Sequence, residues 1–459
     1  MGETHTRRFT ALLVGTVIGV YTLIVAGATA AIADAASACS SWPVCTQPPS
    51  LAEPALVIAW GHRVTALLVG LLVLVTAVAG WRIAQRRRVK YALALALVLF
   101  PVQIGVGAAV ATTGAAGDLP GIHLGVAASI FGALVAALAW HLEAGADDSQ
   151  PVTTDPEPAP EPIEDVTVTR PSGLVETVRA YVSLTKPRLM WLLSLVAAAG
   201  MALSAGGSIP AETILATLGG GVLAIGSSGT FNHVLERDVD RRMNRTADRP
   251  LTTQQVPVTN ALAFGFVLGA LSLATFLTVN VLVAVLGLVA IVFYSVVYTL
   301  VLKPNTVQNT VIGGVAGALP ALIGSAAVTG TIGLPGLALA TLIFLWTPAH
   351  FYNLALAYKD DYARGGFPMM PVVRGEATTR KHILWYLAAT LLAATAVTAI
   401  ADLGALVAAT TVALGAVFLW MVVRLHRERT ESAAFRAFHA SNAYLGAFLV
   451  AVVIDALAI

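Results

Sequence analysis

The chain has 459 residues, 57% of them hydrophobic and only 11% charged, with 27 Lys and Arg against 25 Asp and Glu for a formal net charge of +2. That composition exceeds what one water-soluble core can absorb and excludes an ordinary globular enzyme. A balance of +2 gives no ground for a nucleic-acid partner, so the partner the composition calls for is the lipid bilayer.

An apolar run begins near Phe9, behind Arg7 and Arg8. It is too long for the roughly 7 to 15 apolar residues at the centre of a cleaved signal peptide, so it reads as a membrane span. Next comes ACSSWPVCTQPP, holding Cys39 and Cys45, the only two cysteines of the chain. Two cysteines in one short loop outside the membrane favour a disulfide, because a zinc site would still lack half its ligands. Further spans begin near Val64, Tyr91 and Gly121. His62, in WGHRVTA, and His123, in GIHLGVAAS, stand at the starts of the second and fourth spans, at one depth. Imidazoles on neighbouring helices at equal depth could ligate a heme iron, such as a bound heme b; a lone interfacial histidine needs no such role.

Residues 144–178 are rich in Pro, Thr and acids and have no apolar period, the composition of a solvated linker. They divide a four-helix membrane module, 1–143, from a nine-helix module, 179–459. The nine later spans begin near Leu189, Ala211, Asn260, Leu282, Val307, Leu334, His382, Gly404 and Phe438. The expected fold class is therefore an all-α polytopic membrane protein, a nine-helix bundle preceded by a four-helix bundle. With the N-terminus in the cytoplasm, only Arg63 of the 27 basic residues falls outside, which sets the orientation in a cell membrane and puts Ile459 on the outer side. Gly-rich runs such as GGGVLAIGSSG and IGGVAGALPALIGS read as close helix packing rather than phosphate loops.

FNHVLERDVDRRMNRTADRP, residues 231–250, carries the chemistry. Asn232, Glu236 and Asp240 recur every four residues, on one helix face, one turn apart. Carboxylates stacked in this way repel, and a hard cation would relieve them; an amide and carboxylates suit Mg²⁺, which commonly bridges to phosphate. The arginines that follow, including Arg245 and Arg249, could grip phosphate oxygens. After the tenth span, HFYNLALAYKDDYARGGFPMMPVVRG supplies Asn353, Lys359, Asp360, Asp361 and Arg364. Four spans separate the two clusters, so both reach the same membrane side.

The blocks LTKPR (Leu184–Arg188), the Asn232, Glu236, Asp240 face with MNRTADRP, the stretch Tyr298–Gly324 and WTPAHFYNLALAYKDDYARGGFPMMPVVRG resemble the UbiA-like intramembrane prenyltransferases. The last two blocks are similar to the branch that acts on heme. The resemblance covers residues 180–458. It implies catalysis by Asn232, Glu236, Asp240, Asp360 and Asp361, with Asn232, Glu236, Asp240 and Asp361 as Mg²⁺ ligands. It implies diphosphate contacts from Lys186, Arg188, Arg245, Arg249, Lys303 and Lys359. Farnesyl, or a longer prenyl group, would pass from its diphosphate to the 2-vinyl group of heme B to give heme O for a heme-copper oxidase. Two departures from the family pattern stand out: Glu236 where Asp is usual, and Ala357 with adjacent Asp360 and Asp361 where two Asp four apart are usual. His350, and His233 beside Asn232, could face heme or be satisfied within the bundle. The residue types alone leave a quinone or lipid acceptor open, and also an ion path, although acids at helix ends beside arginines fit a transporter poorly.

The Cys-Trp-Pro-Val-Cys region, His62-Arg63, QIGVGAAV and His123-Leu124 resemble one half of the heme A synthases. That family has eight spans in two such halves. A homodimer through this module would rebuild the bundle, and the module would bind heme or oxidise heme O to heme A.

Overall fold

The computed structural model describes residues 2–83, 86–113, 117–144 and 171–458. Of the linker expected over 144–178, residues 145–170 lie outside the described residues, and its end is helical, part of the helix Leu174–Leu184. Among those residues thirteen helices are long and apolar enough to cross a membrane, and there is no strand. Hydrocarbon offers no partner to a free backbone N–H or C=O, and a helix satisfies each of them internally. The first four spans are His5–Ile32, Pro54–Ile83, Arg87–Thr113 and Leu119–Leu142. The fifth to tenth are Pro187–Ser204, Ala211–Leu235, Val258–Leu277, Val281–Asn305, Asn309–Thr329 and Leu334–Ala357, and the last three are Glu376–Ile400, Ala405–Glu428 and Glu431–Ala458. Local chemistry sets their starts. Pro187 and Pro335 occupy first turns, where no N–H is missed. The Asn280 side chain accepts the Val283 N–H at 2.9 Å, capping the eighth span.

The chain forms two compact units. One holds residues 1–147 and 380–444, which are the first four spans with the eleventh, the twelfth and part of the thirteenth. The other holds 148–379 and 445–459, with the fifth to tenth spans. This grouping in space cuts the chain differently from the linker: most of the last three spans join the N-terminal four. Apolar faces look alike in lipid, so sequence periodicity does not say which helix meets which.

In the first unit, the Tyr21 hydroxyl donates to the Leu391 carbonyl at 3.0 Å, and the hydroxyls of Thr16 and Thr76 lie 2.6 Å apart. Cys39 and Cys45 are joined as a disulfide. Arg63 donates to the carbonyls of Cys39 at 3.0 Å and Pro43 at 3.3 Å, so the disulfide loop is held by the second span.

In the second unit, the fifth and ninth spans cross backbone to backbone. A methyl group added at Gly324 would stand 2.1 Å from the Ala197 carbonyl oxygen, and one at Gly200 would stand 2.4 Å from that of Ala321. The Gly-rich run of the ninth span thus works as a packing face. The eighth span widens into π-helical turns over Phe293–Leu302, where the Thr299 hydroxyl reaches back to the Tyr294 carbonyl at 2.9 Å. Wide turns of this kind occur often at functional sites, and this one turns Tyr294, Thr299 and Lys303 toward the polar end of the sixth span.

Gly324→Ala is expected to cost about 1–3 kcal/mol of overpacking strain and to lower the thermal unfolding midpoint in detergent. Gly219→Ala, inside a helix at a position with open space beside it, should leave the midpoint unchanged or raise it; equal midpoints for both variants would refute the close crossing.

Candidate active site

The sixth span ends at Leu235, yet its hydrogen bonding continues past the bend. The Glu236 N–H reaches Asn232 O at 2.9 Å, and the Asp240 N–H reaches Glu236 O at 2.7 Å. Asn232, Glu236 and Asp240 are therefore stacked a turn apart, and all three are buried. Each is met by a basic group from elsewhere in the unit. Lys303 donates to Glu236 Oε1 at 2.6 Å, Arg249 donates to Asp240 Oδ2 at 2.7 Å, and the Lys186 ammonium donates to Asn232 Oδ1. Asn232 in turn donates to the Thr299 hydroxyl at 3.1 Å, and Lys186 also donates to the Tyr294 hydroxyl at 3.2 Å. Asp240 Oδ1 is buried with no hydrogen-bond partner.

Charge and burial oppose each other here. Burial pushes the Lys186 ammonium down to about 7, against the pull of Glu236, while Arg249 and Lys303 push it the same way as burial. Burial also works against the Glu236 carboxylate, but Lys303 and Lys186 outweigh it and hold that carboxyl below the usual range. Asp240 goes the other way: burial raises it, despite Arg249. Lys186 has a φ of 55° and a ψ of 57°, a left-handed conformation costing about 1–2 kcal/mol for a residue with a side chain, and it directly precedes a proline. Its bonds to Asn232 and Tyr294 hold it there, and strain of this kind clusters at functional sites.

The second acidic segment comes to the same place. Asp361 Oδ1 accepts the Asn244 N–H at 3.2 Å and Oδ2 accepts the Arg245 N–H at 3.0 Å; Arg364 also pairs with this carboxylate. The Arg245 guanidinium lies over the rings of Tyr358 at 4.6 Å and Tyr362 at 5.2 Å and donates to the Tyr362 hydroxyl at 3.3 Å. Lys303 lies 4.3 Å above the Phe367 ring. Asp361 thus fastens the arginine loop, and both of its oxygens are engaged in doing so.

Three expected residues stand outside this network. Arg188 and Asp360 are exposed, and Lys359 pairs with Glu376 at 3.1 Å. His350 is buried and stacks on Trp346 with ring centroids 4.2 Å apart, and His233 is buried beside Asn232 with Nδ1 unpartnered. Sequence reasoning missed Tyr294, Thr299, Tyr358, Tyr362 and Phe367. Tyr294 and Tyr298 do show as an aromatic pair four apart just before Lys303-Pro304, a signal that could have found the first of them.

Among the described residues no three Asp, Glu, His or Cys side chains close into a cage for a metal. The donors present, an amide and two carboxylates with one orphaned oxygen on Asp240, fit a cation that keeps water and shares phosphate oxygens, as Mg²⁺ does.

In the four-helix module, His123 Nε2 lies 3.2 Å from Gln103 Nε2, and Nδ1 of both His62 and His123 is buried without a partner. Added methyl groups at Gly27 and Gly107 would stand 3.3 Å and 2.9 Å from the two rings, so small residues make room for both imidazoles.

Asp361→Ala removes the anchor of Asn244, Arg245 and Arg364. Trypsin should then cut the full chain between 241 and 249 at least several-fold faster, with Asp360→Ala cut at the wild-type rate. Equal rates for the two variants would contradict the anchoring role.

A model of the UbiA prenyltransferase family matches residues 193–450. Protoheme IX farnesyltransferase of Haloarcula marismortui is 63% identical over 463 residues, covering 99% of this chain and 100% of its own. Protoheme IX farnesyltransferase 1 of Saccharopolyspora erythraea is 44% identical over 280 residues, which cover 60% of this chain and 89% of the relative. Among solved structures, a digeranylgeranylglyceryl phosphate synthase superposes with a TM-score of 0.52 at 15% identity, over 62% of this chain and all of its own; that likeness concerns the fold alone. The chain is a multi-pass membrane protein and belongs to the UbiA prenyltransferase family.

Proposed function

We propose that the chain transfers a farnesyl group from its diphosphate to the vinyl group of heme B, making heme O for a heme-copper terminal oxidase. The observation that carries this reading is the alternating network of acids and bases. Each donor of the Asn232, Glu236, Asp240 stripe is matched to a base, Lys186, Lys303 or Arg249, of the kind that binds diphosphate. The full-length likeness to protoheme IX farnesyltransferases supports heme as the acceptor. The Saccharopolyspora relative, too short to hold both modules, supports residues 179–459 as the transferase part.

The resting network is neutralised from within. A magnesium diphosphate would be held by an exchange of partners: Asn232, Glu236 and Asp240 would hold the cation, and Lys186, Lys303 and Arg249 the phosphate oxygens. Bound Mg²⁺ would supply charge stabilisation to the leaving diphosphate. Arg245, lying over the rings of two tyrosines and anchored through Asp361, is held ready as a further phosphate contact. The allylic C–O bond breaks, its electron pair leaves with the diphosphate, and the vinyl carbon bonds to the allylic carbon. Water then adds to the cation left on the heme side and loses a proton, giving the hydroxyethylfarnesyl group. In this reading Asp361 positions the loop, while Arg188, Lys359 and Asp360 lie outside the reacting centre.

The distribution of basic residues supports a cytoplasmic N-terminus and a site open to the cytoplasm. In the four-helix module, unpartnered imidazole nitrogens beside Gly27 and Gly107 support a heme b held by His62 and His123. A homodimer of the module would complete such a bundle.

Membranes containing the chain should convert heme B and farnesyl diphosphate to heme O, read by mass spectrometry of extracted heme. Asp240→Asn and Lys303→Met should each lose about 100-fold or more of that rate. Prenylation of a quinone or glycerol-phosphate acceptor instead of heme would refute the assignment. The purified chain should also show a low-spin heme spectrum that His62→Ala or His123→Ala removes; a spectrum unchanged in both variants would refute heme ligation there.

A further inference from the structure

Glu143, the last residue of the four-helix module and directly before the stretch that reads as linker, is 1% exposed. It follows the last turn of the fourth span, and its carboxylate receives a bidentate grip from Arg380, 2.7 Å from Nε to Oε1 and 3.2 Å from Nη2 to Oε2. Arg380 is itself 4% exposed, in the second turn of the eleventh span. Arg429, just after the twelfth span, lies 3.6 Å from Oε2, and His426 Nε2 lies 3.8 Å from Oε1. Beside Glu143, Arg86 closes on the Ala144 carbonyl with two hydrogen bonds of 3.1 and 2.7 Å. Every one of these residues belongs to the first compact unit.

A desolvated carboxylate is tolerated only where its partners are fixed, and removing one partner strands the other in a dry site. A charge buried this completely is not a solubility device. It marks a docking point between the first four spans and spans eleven and twelve. A ring contact such as Phe9 edge-on to His141 buries area without specifying orientation. The bidentate pair accepts one orientation only.

We infer that Glu143 fastens the four-helix part of the chain to its eleventh and twelfth spans through Arg380, with Arg429 beside the pair. The two parts then assemble as a non-covalent interface, and the covalent link over residues 145–170 is not what keeps them together. The kind of partner this surface fits is a pair of helix ends presenting two arginines, here supplied by the same chain.

The test uses the full chain with a specific protease site placed between residues 150 and 160 and an affinity tag at the C-terminus. After purification in mild detergent and complete cleavage, the N-terminal fragment should remain with the tagged fragment through gel filtration. Glu143→Ala and Arg380→Glu should each lower the retained fraction at least fivefold, and the exchange Glu143→Arg with Arg380→Glu should recover at least half of it. The exchange keeps the test decisive where a single variant folds poorly. Separation of the cleaved unmodified chain would overturn the inference. So would single variants that retain the fragment as the unmodified chain does, or an exchange no better than the single variants.

Discussion

The pair between Lys303 and Glu236, 2.6 Å apart and buried on both sides, is the constraint from which the rest of the second unit follows. A carboxylate at that depth needs a fixed cation. The eighth span reaches it by widening its turns, which also turns Tyr294 and Thr299 to the same face. Tyr294 and Asn232 then hold Lys186 in a left-handed conformation immediately before Pro187. Asp240 requires Arg249, so the intervening loop must double back, and Asp361 pins that return through two backbone amides. Remove the central pair and each of these features loses its reason.

In a linear sequence, stacked acids alone ask for a metal to relieve their repulsion. The structure answers differently, because Lys303 and Arg249 already relieve it within the protein. What favours a magnesium diphosphate is reciprocity: a cation and an anion that arrive together can be accepted by exchanging partners, with no uncompensated charge left buried at either end. Asp240 Oδ1, the one carboxylate oxygen of the stripe with no hydrogen-bond partner in a buried place, favours it too.

The thirteen spans were legible because length and hydropathy are local properties, and the Asn232, Glu236, Asp240 face was legible because helical spacing survives the bend at Glu236. What escaped the sequence was long-range. Asp361 read as a metal ligand; in the structure its two oxygens accept the backbone amides of Asn244 and Arg245, 117 and 116 residues away. Such bonds to backbone carry no residue signature. Glu143 read as the end of the four-helix module with no partner assigned to it, and only the approach of Arg380 makes its burial tolerable. The π-helical turns of the eighth span have the same apolar composition as any other span, so the side chains they redirect could not be placed in advance.

Partner exchange is tested most directly by calorimetric binding of a non-cleavable farnesyl thiolodiphosphate to the purified chain, with and without Mg²⁺. The account predicts that the analogue and Mg²⁺ bind tightly only together, each weakening at least tenfold without the other, and that Glu236→Gln removes this mutual dependence. Equal affinity for the analogue in the presence and absence of Mg²⁺ would contradict it.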